Sequence, residues 1–274
     1  MNSPTSSAGS RAALYAASFW GIWLRDSHVL RASAFTFITR VLMQPLFFVF
    51  VFAYVFPKIG REVRASDDVG FATILTPGLV AFAVMFQGIN LVAFPLVNEI
   101  SATREIEDRV MAPLPTTALA LEKLLFGAFQ GLIAALIVFP LLYFVPVAEV
   151  EVHIESWPLL TAVLLLSTTT AGAAGLAIGT AMKPNQIPLV VSVITLPVIF
   201  LGCVFYPWQE LAAVPWLQVV VLANPLVYVS EGLRAGLTPQ LPHLLPWVSI
   251  CALTIATAIL GAIGVRGLRN RVLD

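Results

Sequence analysis

The chain has 274 residues, of which 59% are hydrophobic and only 11% charged, whereas an ordinary soluble domain carries roughly a quarter charged residues. That composition argues against a soluble globular protein and for an integral membrane one. Fifteen Lys plus Arg balance fifteen Asp plus Glu, so no basic excess is present to neutralise phosphates and nucleic acid is not expected as a partner.

In chain order, MNSPTSSAGS reads as disordered over residues 1–10. Residues 11–35 then mix Leu14, Phe19, Trp20, Trp23 and Leu24 with Arg11, Arg25, Asp26 and Arg31, the pattern of a helix lying in the membrane interface. No clean apolar core with a small-residue cleavage site precedes it, so it is expected to be retained. Crossing a hydrocarbon core about 30 Å thick takes about 20 apolar residues at about 1.5 Å each. Charge-free runs occupy 41–57, 69–98, 124–148, 156–182, 184–209, 211–230 and 235–265. The run at 211–230 contains Pro215 and the pair Asn224 and Pro225, which cut it into pieces too short to cross. Six spans are therefore predicted, at 37–57, 71–97, 124–147, 157–182, 187–206 and 243–265, with 207–240 re-entrant on the outer side. The predicted fold class is all-α integral membrane, as one domain over 1–274.

Six spans place both termini in the cytoplasm. Eleven basic residues then lie inside, Arg11, Arg25, Arg31, Arg40, Arg104, Arg109, Lys123, Lys183, Arg266, Arg269 and Arg271, against Lys58, Arg61, Arg64 and Arg234 outside. Such a bias is what the positive-inside rule requires. A seventh span would send the basic tail RGLRNR outside and erase it.

The predicted spans carry no ionisable group at mid-depth, which argues against proton- or sodium-coupled carriers and intramembrane proteases. No GxxxxGK[ST] loop is present, so any ATP that drives the protein is bound by another chain. Cys203 and Cys251 stand in apolar runs and read as buried small residues; His28, His153 and His243 are far apart, and no metal site is expected. Gly127 with Gly131, and Gly175 with Gly179 and Ala171, give small faces suited to helix packing. Prolines at 45, 77, 95, 140, 188 and 197 predict kinks. The aromatic run Phe47, Phe48, Phe50, Phe52, Tyr54 and Phe56 spreads around a helix and suits lipid contact and packing.

The longest cytoplasmic connection, 98–123, is also the most charged part of the chain. Read as a helix, it pairs Glu105 with Arg109 and Arg104 with Asp108 at i,i+4, and Pro113 and Pro115 stop it. Thr116 or Thr117 can cap the following helix. A charged helix bounded by prolines suits docking to a partner protein. TREIEDRVMAPLP here resembles the coupling-helix stretch of the membrane subunit of ABC-2 type exporters, with Arg104, Glu105, Asp108 and Arg109 as its charged positions and Pro113 as its corner. Ile106 and Glu107 stand where that family has Gly-Thr.

A second stretch carries the same resemblance more specifically. GCVFYPWQELAAVPWLQVVVLANPLVYVSEGLRAG is similar to the family's G-x-x-F-P, P-W-L and N-P-L-x-Y-x-x-E-x-[LI]-R motifs. Gly202, Phe205, Pro207, Asn224, Pro225, Tyr228, Glu231 and Arg234 occupy its positions. The resemblance implies two short re-entrant helices on the outer side, where Glu231 and Arg234 can pair at helical spacing in a structural or gating role.

The resemblance further implies a non-catalytic permease subunit of a bacterial-type cytoplasmic membrane. A separate ABC ATPase, holding ATP and Mg, would dock on Arg104, Glu105, Glu107, Asp108, Arg109 and Pro113. The other partners implied are a second copy or a similar permease, and membrane lipids. Cofactors within this chain are none. An amphipathic drug-like or lipid-like cargo moved outward is expected first and a polysaccharide or lipid-linked oligosaccharide second; an ATP-independent channel or carrier is the more distant alternative.

Overall fold

The computed structural model describes residues 7–55, 58, 71–101, 115–144, 151–183, 186 and 196–273. Among these, every regular element is a helix. α1 (Ser7–Ala32) meets α2 (Ala34–Val49) at a 72° bend, and α2 runs on as a π-helical turn over Phe50–Val55. Then come α3 (Phe71–Ser101), α4 (Thr116–Phe144), α5 (Trp157–Ala181), α6 (Pro215–Val220), α7 (Pro225–Leu237) and α8 (Pro246–Leu273). Short 3-10 turns over Trp208–Ala213 and Val221–Ala223 flank α6.

Four helices, α3, α4, α5 and α8, are each long and apolar enough to cross a membrane, and the number reaches six if each of two bent pairs is one span. Their bounds follow local chemistry. Ser156 caps α5 by accepting from the Leu159 amide at 3.4 Å, with Pro158 just inside the helix start. At α4 the cap is neither threonine: the Pro115 carbonyl accepts from Ala118 and Leu119, and Thr116 is already helical.

Several predicted bounds move. Helix α1 begins at Ser7, within the stretch expected to be disordered. The span expected over 187–206 is helical only over 196–200 of its described part, and turns follow, with Cys203 at a φ of 53°. Helix α8 continues through the basic tail to Leu273, because charge alone does not stop a helix. Cys203 is buried as expected, but Cys251 is exposed on α8.

The run 211–230 is broken as its prolines predict, with a 98° bend between Ala223 and Pro225. At the centre lies α3, 72% of whose apolar stretch is buried, against 17% for α8. Helix α5 packs on α3, α4 and α8. In a bilayer, helices associate through close packing because lipid is as apolar as leucine. The α5 small face provides it: a Cβ on Gly175 would stand 2.8 Å from the Ile89 carbonyl oxygen, and one on Gly179 would stand 3.1 Å from the Ala93 Cα. Both glycines therefore pack inside this chain. Thr170 and Thr257 hydroxyls, 2.7 Å apart, join α5 to α8.

Candidate functional site

Polar side chains gather at both ends of the bundle. At the end opposite the 98–123 connection, α7 starts on Asn224, whose side chain accepts from the Leu226 amide at 3.0 Å and donates to the Val198 carbonyl at 2.8 Å. Pro225, lacking an amide hydrogen, fits the first helical position. One turn on, the Tyr228 hydroxyl donates to the Leu222 carbonyl at 2.8 Å and so holds the bend from its other side.

Glu231 and Arg234 follow on the same helix, both fully buried and joined through Glu231 Oε1 and Arg234 Nη1. Each also binds backbone. Glu231 accepts from the Trp208 amide at 3.0 Å and the Leu244 amide at 2.9 Å, and Arg234 Nη2 donates to the Cys203 carbonyl at 3.1 Å. Such further hydrogen bonds make a buried ion pair tolerable, although Arg234 Nε is left without a hydrogen-bond partner. Pro207 leads into the Trp208–Ala213 turn, which delivers the Trp208 amide. The Gly202 carbonyl accepts from Ser230. The Phe205 ring lies 5.5 Å from Phe48 and 5.4 Å from Phe200, so α2 packs on this region through Phe48, while Phe47 and Phe50 are exposed.

All eight residues of the second sequence motif thus belong to one assembly. Its side-chain hydrogen bonds go to backbone or to each other, which suits a brace holding three chain segments together. Among the described residues no cluster of three His, Cys, Asp or Glu side chains could hold a metal ion.

At the other end, Lys123 Nζ donates to Asp26 at 2.7 Å and Glu99 at 3.2 Å. One ammonium thereby ties α1 to the end of α3 and the start of α4, with all three side chains at most 13% exposed. Arg25 stands 3.9 Å from Asp26. Asp26 and Lys123 are 97 positions apart, so sequence reading missed this cluster; charged residues at the edges of apolar runs were its only signal. The predicted docking residues Arg104, Glu105, Glu107, Asp108, Arg109 and Pro113 lie outside the described residues.

Comparison with known proteins gives this geometry a context. The family model described as ABC-2 type transporter matches residues 17–238. The inner membrane transport permease YadH of Escherichia coli strain K12 is 28% identical over 226 residues, covering 81% of this chain and 84% of that protein. YadH from Escherichia coli O157:H7 and from Shigella flexneri match to the same extent. With four apolar helices of spanning length, these relatives identify a multi-pass protein of the cytoplasmic membrane.

Proposed function

We propose, on the premise that this chain belongs to the ABC-2 type transporter family, that it is the permease subunit of an ATP-driven exporter of amphipathic, drug-like or lipid-like molecules. The observation that carries the reading is the extent of the match, residues 17–238, which takes in most of α1 and all of α2 to α7. The chain has no phosphate-cradling loop of its own, so ATP and Mg belong to a separate ATPase subunit. Two copies, or one copy and a similar permease, form the pathway.

The ATPase docks on the 98–123 connection through Arg104, Glu105, Glu107, Asp108 and Arg109, with Pro113 setting the corner. Movement of that connection reaches the interfacial helix because Lys123 binds both Asp26 and Glu99. A rigid-body shift of the bundle then changes the balance between inward-open and outward-open states. The bends around α6 and α7 suit re-entrant helices on the outer side, where the Glu231 and Arg234 assembly keeps its shape during that shift. A lipid-linked glycan is the second cargo reading, favoured by the exposed Phe47 and Phe50 rings, which can stack on sugars.

The reading is tested by purifying the tagged chain from its host in mild detergent, identifying stoichiometric partners and measuring ATP hydrolysis with and without amphipathic cargo. A co-purifying ATPase stimulated by such cargo is expected. A chain that purifies alone and conducts solute in liposomes without ATP overturns the proposal.

A further inference from the structure

Helix α2 carries a cation, Arg40, that no carboxylate among the described residues neutralises. The Arg40 carbonyl accepts from Gln87 Nε2 at 3.2 Å, which sets the Arg40 backbone level with the middle of α3, about 18 Å along that helix from Glu99. Arg40, expected at the inner boundary, is thus rooted well inside the bundle. The Arg40 side chain borders the cavity that extends to Asn98, near the end of α3, and a cation within an apolar bundle marks a place where an ion, counter-charge or ligand is met. The side chain is exposed, and among the described residues no carboxylate pairs with it.

Arg40 lines two adjoining cavities of about 300 and about 690 Å³, which share Leu91 and Pro95. The smaller lies among α1, α2, α3 and α4 and reaches from Lys123 to Gln130, about 10 Å along α4. Gln130 is 7% exposed and its Oε1 has no hydrogen-bond partner. Its amide can turn either a donor or an acceptor to a ligand. Pro95 has no amide hydrogen, so the Leu91 carbonyl at the junction lacks its helical donor. The larger cavity is more open, and Phe86 and Phe94 form its apolar wall.

An unpaired guanidinium, a buried unpartnered amide and an aromatic flank call for an anionic head on an apolar tail. We propose that these cavities bind a phospholipid from the leaflet on the side of the 98–123 connection, with its phosphate on Arg40, a neighbouring headgroup oxygen or hydroxyl on Gln130, and its acyl chains along Phe86 and Phe94. A guanidinium binds phosphate oxygens with two parallel hydrogen bonds, and the volumes fall in the range of ligand pockets, about 300–1,000 Å³. This binding does not depend on the transport reading.

The test offers the full-length protein in detergent an equimolar mixture of phosphatidylglycerol and phosphatidylcholine and reads bound lipid by native mass spectrometry. Wild type is expected to retain phosphatidylglycerol preferentially, Arg40→Ala to retain it about tenfold less, Gln130→Leu to fall between, and Thr39→Ala to match wild type. If Arg40→Ala does not fold, Arg40→Lys and Gln130→Leu carry the measurement, the first keeping a preference for the anionic lipid and the second losing part of it. Equal retention of the two lipids by wild type overturns the proposal, as does undiminished retention by Arg40→Ala or Gln130→Leu. Displacement of the lipid by millimolar inorganic phosphate assigns the site to free phosphate and overturns it as well.

Discussion

Among the described residues Arg234 is the largest side chain buried to completion, and its counter-ion Glu231 is buried equally. Removing one member of such a pair strands the other's charge away from water and typically costs about 3–5 kcal/mol, whereas replacing both by apolar groups can be neutral. Arg234→Met and Glu231→Leu are therefore each expected to lower the thermal midpoint in detergent sharply, and the double variant to lose less than the sum of the singles. Additive losses in that cycle would mean that the backbone contacts, and not the charge pair, hold the assembly. The i,i+3 pairing of these two residues was visible in the sequence because helical spacing is local. Their partners at Trp208 and Leu244 were not, since those amides return from 23 and 13 positions away along a path that only the folded chain defines.

At the scale of helices, the sequence was legible wherever one local rule acts alone. Apolar length found α3, α4, α5 and α8, and the Asn224 and Pro225 pair located the 98° bend. A charge-free run measures apolar length and not where backbone hydrogen bonding ends, so the helix expected over 187–206 stops at Phe200 and α8 overruns to Leu273. The small face of α5 makes a prediction of its own. A methyl on Gly175 would meet backbone at 2.8 Å from the Ile89 oxygen, whereas one on Gly21 of α1 would have nothing within 4 Å. Gly175→Ala is expected to destabilise the protein by about 1–3 kcal/mol through overpacking. Gly21→Ala should be neutral or stabilising by up to about 1 kcal/mol through helix propensity. Thermal unfolding of the two variants side by side checks this, and equal midpoints would show that α3 and α5 can move apart without loss.

For the whole molecule, the question is how an event at the 98–123 connection reaches the rest of the bundle. Long-range coupling requires a physical link whose state both ends bias. Lys123 supplies the only ion-pair link among the described residues between α1 and the two helices flanking the connection. Its ion pairs are mostly shielded from solvent, so removing one partner costs more than the roughly 0–1 kcal/mol of breaking an exposed pair. Docking and transmission separate at this point. Arg109→Glu changes the charged stretch between those helices and is expected to reduce recovery of the ATPase subunit with the purified chain. Lys123→Gln leaves that stretch intact, so the ATPase should co-purify as with wild type and retain its basal hydrolysis. Without the ammonium, α1 keeps the packing of Trp23 on Phe126 and Phe129 of α4 but loses its ion pair to that helix, and cargo-stimulated hydrolysis should drop several-fold. Measuring co-purification, basal rate and stimulated rate on both variants resolves the two roles. If Lys123→Gln keeps full stimulation while folding normally, motion of the connection does not need this ion pair and travels through helix packing, that of Trp23 on Phe126 and Phe129 included.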